Sequence, residues 1–502
     1  MSSIAQIDAG EIATRSAVEI WFRRILLACA VLAGIAILCH VGLIFWTQNE
    51  FSAPESIVAT QSQQLAQHGR LYYALKSYPY TACLYMPQFY LLEAAISKLG
   101  LTTRLAGRLL SFAAMFGMFA LVWRLLLLYT SNRNCARLGV VLCASTSLIP
   151  AWGSIGQVDM LAVFWSVCAF DQFSRYWLRR EPRLAWAGVC IVLALFTKQT
   201  AIACPAAIFL LLWSREKLTA IKFAAAVGVA AAAIGLLVNW VFGGHFFLNV
   251  IRANMNQLAW DKLAPHLQYM LIAAAQLALI ALVGIKAAKR AGKLAPFLYL
   301  ALAFLVLLAT APKLGSDSNY QIESTVLLVI CSSVALDALN FFPLIFSRSR
   351  SWLTLLQLPL AIHLVQNFRI AENLLVTRAV TEQLFRAQTT ALSPYLGDGR
   401  PILSSDFNAL ARFRGVMDVE PFIYSQLVKS GVIDPEPVRR DIADRAFSSI
   451  LLYEDLNVPN PDRDPELTTF TETQLDAMRA QYRIVAHVPG PYQDGIFVYK
   501  PR

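Results

Sequence analysis

The sequence predicts an all-α polytopic membrane domain of about eleven transmembrane helices, followed by a small α/β domain on the extracytoplasmic side. Three observations predict it: long apolar runs, a one-sided distribution of Lys and Arg between them, and a change of character after residue 370. The 502 residues are 57% hydrophobic and 15% charged, with a mean hydropathy of +0.52. Soluble domains carry about 25% charged residues. Here runs of the roughly 20 apolar residues that cross ~30 Å of hydrocarbon recur instead.

The spans are expected near 25–46, 105–129, 136–151, 159–177, 184–197, 201–214, 221–242, 267–285, 295–311, 324–346 and 351–370. The first follows Arg23-Arg24 and is too long for a signal-peptide core, so it reads as a retained helix. The fifth and sixth are short and are expected to be tilted or broken around Thr197-Lys198-Gln199-Thr200, which leaves ten or twelve crossings open.

With a cytoplasmic N-terminus, the inner loops collect the basic residues. They are Arg133 and Arg137; Arg175, Arg179, Arg180 and Arg183; Arg215, Lys217 and Lys222; Lys286, Lys289, Arg290 and Lys293; and Arg348 and Arg350. The opposite loops are poor in them, as cytoplasmic enrichment of positive charge requires. This sidedness accounts for the net charge of +11 without an anionic partner. No basic run is interleaved with aromatics, so nucleic acid is excluded. The nine cysteines show no CxxC spacing and none lies beyond Cys331, which excludes a zinc or dithiol site of that kind.

The membrane domain is thus expected over 1–370, with a first outer loop at about 47–104, and a soluble domain over 371–502. The latter alternates amphipathic helical stretches (377–392, 435–445, 471–482) with short apolar runs such as Ile450–Tyr453 and Ile496–Tyr499. No internal repeat is apparent.

The first outer loop opens at Phe51-Ser52-Ala53-Pro54-Glu55 into an amphipathic helix ending near Gly69. Ser52 is placed to cap it, and Pro54 and Glu55 suit its first turn. A tyrosine-rich stretch follows (Tyr72, Tyr73, Tyr78, Tyr80, Tyr85), then Met86-Pro87-Gln88-Phe89-Tyr90 and a second amphipathic helix. Such helices lie along a membrane interface, where a carboxylate can meet a lipid-borne substrate. The competing reading of Glu55 is a first-turn helix residue. Asp159, in Gly156-Gln157-Val158-Asp159, is a carboxylate entering a span, which is costly and marks a functional candidate, or else a helix-start residue at the water interface. Lys198, between two apolar runs, could bind phosphate or snorkel. The polar stretch Lys313–Glu323, with Asn319 and Tyr320, reads as a binding loop or a solvated turn.

In order and sidedness these parts resemble the GT-C superfamily of membrane glycosyltransferases. The resemblance is to family-39-like members related to protein O-mannosyltransferases and the lipid A aminoarabinose transferase. It covers about residues 20–330 and rests on Glu55, Gly69, Tyr72-Tyr73, Pro87-Gln88-Phe89-Tyr90, Arg104 and Arg108, Asp159-Met160-Leu161-Ala162, Thr197-Lys198, and Lys313 through Tyr320. Two positions depart from the pattern. Pro54 stands where the family has Asp, so Glu55 would act alone or with Glu50, and Met86 stands where a Lys is common.

The resemblance implies a GT-C fold and transfer of a sugar, with inversion, from a polyprenyl-phosphate donor to a lipid, glycan or protein acceptor on the outer face of a bacterial inner membrane. It makes Glu55 the general base and lets Asp159 orient the site, with Mg²⁺ or Mn²⁺ as a possible ion shared by Glu55 and Asp159. Lys198, Lys313, Arg104 and Tyr320 would meet the donor phosphate, and Tyr85, Asn319 and Glu323 the acceptor or its loop. The competing class is a polytopic transporter or lipid-sugar flippase, against which stands the lack of two related halves. A third is a non-catalytic partner that keeps the fold.

Overall fold

In a computed structural model of the chain, the described residues are 24–25, 27–341, 355–396, 399–406, 419–458, 469–491 and 495–502. Arg23, Arg348, Arg350 and the facing ends of the last two expected spans lie outside them.

Helices occupy the expected apolar runs: α1 (Leu27–Trp46), α4 (Thr103–Tyr129), α5 (Arg133–Ser145) with α6 (Leu148–Gly153), α7 (Val158–Arg179), α8 (Leu184–Thr197), α9 (Ala203–Arg215), α10 (Lys217–Val241), α11 (Leu263–Arg290), α12 (Ala295–Thr310), α13 (Ile322–Ala338) and α14 (Gln357–Leu392). Between α1 and α4 lie α2 (Ala53–His68) and α3 (Pro87–Ser97). Among the described residues, five helices are long and apolar enough to cross a bilayer, and α8, α9 and α12 are shorter apolar helices. The chain is an integral membrane protein.

Helix α13 is buried along almost its whole length and forms the axis of the bundle, with α11, α12, α5 and α4 around it. Close approach comes from small residues, as bilayer interiors favour. A Cβ on Gly284 would fall 2.3 Å from Ala335 Cβ, and one on Gly139 2.7 Å from Ser333 Oγ. Helix α10 buries only Ala220 and Gly235 and turns its remaining apolar surface outward, the pattern of a helix on the lipid-facing edge.

Two local departures from the expected elements, and one expected break, stand out. The third expected span divides at Thr146. The Ser145 and Thr146 hydroxyls donate back to the Leu142 carbonyl (3.2 and 2.6 Å), and Asn367 of α14 accepts from both the N–H and hydroxyl of Ser147 (3.0 Å each). Between α8 and α9 the chain does break, with Lys198 extended (φ −146°, ψ 122°). The expected boundary near residue 370 falls inside α14, which continues unbroken to Leu392.

Beyond α14 lies a four-stranded sheet of order β1-β2-β4-β3, with β1 (Ile402–Ser404) parallel to β2 (Ser449–Leu452). Strands β3 (Tyr482–Val488) and β4 (Ile496–Pro501) complete it in antiparallel pairing. Its core is not self-contained. Leu75, Tyr80 and Ala82 from the loop between α2 and α3 pack with Tyr424, Ile450 and Tyr499, and the Glu420 N–H donates to the Tyr80 carbonyl at 3.0 Å.

Candidate active site

The segment 47–52 between α1 and α2, together with the first turn of α2, organises the site. Ser52 has extended backbone at the start of α2, yet its hydroxyl makes no capping bond, contrary to the role its type predicts. Instead the Glu55 carboxylate reaches back to the Phe51 N–H (2.7 Å), as an acid in a first turn can. Pro54 fits the same turn because the N–H it lacks has no helical partner there.

Glu55 is completely buried, and its carboxylate accepts four hydrogen bonds. Arg108 of α4 donates from Nε (2.8 Å) and Nη2 (2.9 Å), and the Gly156 and Phe51 N–H groups supply the others at 2.9 and 2.7 Å. Burial raises the pKa of this carboxyl, but Arg108 and the two backbone donors outweigh burial and hold it below its ordinary value. Arg108 in turn donates to the carbonyls of Thr47 (3.0 Å) and Asn49 (2.6 Å) and to the Thr47 hydroxyl (2.8 Å). The pair therefore ties α1, α2, α4 and the Gly156 turn together. Gly156 suits that approach, since a Cβ there would sit 3.2 Å from the Arg108 backbone nitrogen, a tight contact that would push the two segments apart.

Glu50 occupies a different position. It faces a cavity of about 320 Å³ bounded by Thr47, Phe51 and Ser52 on one side, Trp152, Tyr269 and Ser318 on another, and Arg378 and Glu382 of α14 on a third. Ser56 donates to the Glu50 carboxylate at 3.1 Å, and the Arg104 guanidinium stands 4.0 Å away while also donating to the Gln48 carbonyl.

Asp159, Lys198, Asn319, Tyr320 and Glu323 line one further cavity, of about 40 Å³, walled by Ala162, Val163, Ala303, Val306 and Leu307. Lys198 Nζ lies 2.5 Å from Asp159 Oδ1 and 4.1 Å from the centre of the Tyr320 ring, an ion pair topped by a cation–π contact. Among the described residues, Asn319 Oδ1 has no hydrogen-bond partner although it is buried. Glu323 accepts from the Tyr299 hydroxyl. Lys313 is outside this lining and donates to Asn254; burial, and then the nearby Lys198 charge, pulls its ammonium down to about 8. Burial also pushes the Tyr85 phenol up, with Tyr320 and Asp159 close enough to add to the effect.

Gln157 connects the two cavities. In the amide orientation that satisfies both of its ends, it donates to Asp159 Oδ2 (3.3 Å) and accepts from the Glu55 N–H (3.2 Å) and the Ser52 hydroxyl (3.1 Å).

The expected roles redistribute accordingly. Asp159, Lys198, Asn319, Tyr320 and Glu323 share a lining, Tyr85 and Lys313 stand beside it, and Arg104 belongs with Glu50. Glu55 is ion-paired to Arg108, and Asp159 to Lys198. Among the described residues no three His, Cys, Asp or Glu side chains group as metal ligands.

Sequence reasoning missed three residues. Glu93, fully buried in α3, accepts from Ser62 at 2.5 Å; burial, opposed in part by that bond, pushes its carboxyl well above the ordinary range. Its only sequence signal was an acid amid apolar residues of an interfacial helix. Arg378 and Glu382 are buried on α14, where spacing alone reads as a solvated helix face.

The sequence model of glycosyltransferase family 87 matches residues 83–336. Among solved structures, ArnT from Cupriavidus metallidurans in its apo state is 12% identical, with a TM-score of 0.61 over 96% of this chain and 98% of that one. The same protein bound to undecaprenyl phosphate is also 12% identical, with a TM-score of 0.61 over 93% and 97% of the two chains. The archaeal oligosaccharyltransferase AglB from Archaeoglobus fulgidus, in complex with an inhibitory peptide and a dolichol-phosphate, is 13% identical. Its TM-score is 0.53 over 96% of this chain and 75% of that one. No curated protein matches.

Proposed function

The chain belongs to glycosyltransferase family 87, in the GT-C superfamily of membrane glycosyltransferases, and on that premise we propose that it moves a sugar from a polyprenyl-phosphate carrier to a hydroxyl acceptor. The observation that carries this reading is a pair of unlike cavities linked by Gln157, which bonds Asp159 of one and Ser52 of the other. One joins a lysine–aspartate pair to an apolar wall, and the other presents a carboxylate in a space of about 320 Å³. The solved relatives bound to undecaprenyl phosphate or dolichol-phosphate support the choice of donor class.

The donor phosphate is assigned to the Lys198 side, with the prenyl chain along Ala162, Val163, Ala303, Val306 and Leu307. Phosphate competes with Asp159 for the Lys198 ammonium, and Tyr320 holds that ammonium in place by its ring. The acceptor enters beside Glu50. We assign the base to Glu50 rather than Glu55, because all four bonds available to the Glu55 carboxylate are spent.

In the reaction, the acceptor oxygen attacks the anomeric carbon as Glu50 takes its proton. The carbon–oxygen bond to phosphate breaks on the opposite face and the polyprenyl phosphate leaves, so configuration inverts. Lys198 and Lys313 offset the charge that develops on the leaving phosphate. A cytoplasmic N-terminus with the site on the outer face is the orientation that the basic-residue distribution supports, and the tail's lack of an Asn-x-Ser/Thr pattern supports a bacterial inner membrane as the location.

The test is transfer of radiolabelled sugar from polyprenyl-phosphate hexoses and pentoses in vesicles. Glu50→Gln is expected to lower the rate by about 10²–10⁴, the range for a lost general base. Native-like transfer by that variant would move the base elsewhere. No transfer by the native protein from any donor of the panel would favour a transporter.

A further inference from the structure

Helix α14 leaves the membrane bundle, passes segment 46–51, and ends in the tail domain, where Leu392 and Leu396 pack with Ile402, Leu451, Val488 and Val498. On the way it presents Arg378, Glu382 and Arg386, four residues apart, so that all three lie along one face. Each grips the loop. Glu382 accepts from the N–H groups of Gln48 (3.2 Å) and Asn49 (3.3 Å) and from Asn49 Nδ2 (3.0 Å). Arg386 donates to Glu382 (2.7 Å) and to the Trp46 carbonyl (2.9 Å). The Arg378 guanidinium lies 4.3 Å from the centre of the Phe51 ring, and Arg108 lies 4.1 Å from the same centre. Arg378 is anchored independently, donating to Ser154 Oγ (2.7 Å) and the Ala151 carbonyl (3.0 Å).

These contacts bracket Glu50 on both sides in sequence: Glu382 fixes residues 48 and 49, and Arg378 packs on residue 51. Glu382 is only 2% exposed and Arg378 7%, so neither is a surface charge that happens to be near. Buried carboxylates that accept several N–H groups hold a backbone segment in one conformation, and removing one leaves those donors unsatisfied. Both side chains also line the cavity that Glu50 faces.

We propose that Glu382 and Arg378 are positioning residues for transfer, a clamp by which the helix leading into the tail domain sets the direction of the Glu50 carboxylate. The proposal rests on the reading of Glu50 as the base. It makes the tail domain part of the catalytic apparatus, because α14 is anchored in the tail core at one end and in the membrane bundle at the other. Misplacement of a reacting group by about 1 Å can cost on the order of 100-fold in rate.

The test uses the full-length protein in vesicles, with Glu382→Ala, Glu382→Gln and, as a control on the tail surface, Arg440→Ala. Two quantities are read: amide hydrogen exchange in segment 46–52, and kcat and KM with radiolabelled undecaprenyl-phosphate hexoses and pentoses. Glu382→Ala is expected to speed exchange at Gln48 and Asn49 and lower kcat by on the order of 100-fold, with the donor KM unchanged. Glu382→Gln, which keeps one acceptor oxygen, falls between, and Arg440→Ala matches the native protein. Unchanged exchange at Gln48 and Asn49 would overturn the clamp, and faster exchange there with native kcat would overturn its role in transfer. Faster exchange spread through α4 and α7 would make Glu382 a stability residue and overturn the proposal as well. If the native protein transfers no sugar, the glycosyl-transfer reading fails, while the exchange result still decides whether the clamp exists.

Discussion

Glu55→Gln separates a structural carboxylate from a catalytic one. Glutamine keeps one acceptor oxygen but turns an NH₂ group toward two of the four donors that Glu55 now satisfies. The Arg108 guanidinium, 1% exposed, is then left without its counter-charge. Removing one partner of a buried ion pair costs about 3–5 kcal/mol, because the remaining charge stays desolvated. Arg108 keeps its bonds to Thr47 and Asn49, which places the expected loss toward the lower end, about 3 kcal/mol. The assay is thermal and denaturant unfolding of the purified protein in detergent, followed by tryptophan fluorescence, beside transfer measured in vesicles. Glu55→Gln is expected to lose stability and activity together, whereas Glu50→Gln loses activity alone. Replacing both Glu55 and Arg108 with uncharged residues of similar size should recover much of the lost stability, and the double-mutant cycle would give the coupling. If Glu55→Gln unfolds like the native protein yet transfers no sugar, the reasoning is refuted and Glu55 is the base after all.

Two pH dependences follow from buried groups outside the spans. Lys313, depressed to about 8, loses its proton as pH rises through that value, so the donor KM should climb between about pH 7 and 9 by roughly tenfold, the worth of one charged hydrogen bond. Lys313→Arg stays charged throughout and should flatten the profile; a native KM that is level over this range would remove Lys313 from phosphate binding. In the tail, burial raises the Glu420 carboxyl to about 7, opposed by the N–H groups of Ile423 and Phe422. The folded state therefore binds this proton more tightly than the unfolded chain. Its contribution is full below the ordinary value of 4.5 and is lost as pH rises to about 7, on the order of 3 kcal/mol in all. The pH dependences of stability for native protein and Glu420→Gln, measured across pH 4–8, should differ in slope between about 4.5 and 7 and run parallel above 7; parallel curves throughout would show that Glu420 is not responsible.

What the sequence made legible is what a bilayer enforces. Hydrocarbon thickness fixes the length of each apolar run, and the breaks at Lys198 and before Asp159 stood out because polar groups at those depths are costly. Their meeting in one cavity could be expected from sidedness alone, since a chain of known topology places alternate loops on the same face. The partners that decide chemical roles were not legible. Glu55 and Arg108 are separated by 53 positions, and either residue alone looks like an ordinary helix-start or interfacial charge. Glu382 and Arg378 were hidden more completely. Four-residue spacing of opposite charges on a helix normally marks a solvated face, and only the path of α14 along segment 46–51 turns that face inward. The same geometry gives meaning to Pro54. Proline in a first helical turn leaves the start of α2 intact, and the carboxylate that faces the cavity is Glu50, four residues earlier. An acid carried by a loop rather than a helix needs its backbone held, and Glu382 supplies that hold from outside the loop, through the amides of Gln48 and Asn49.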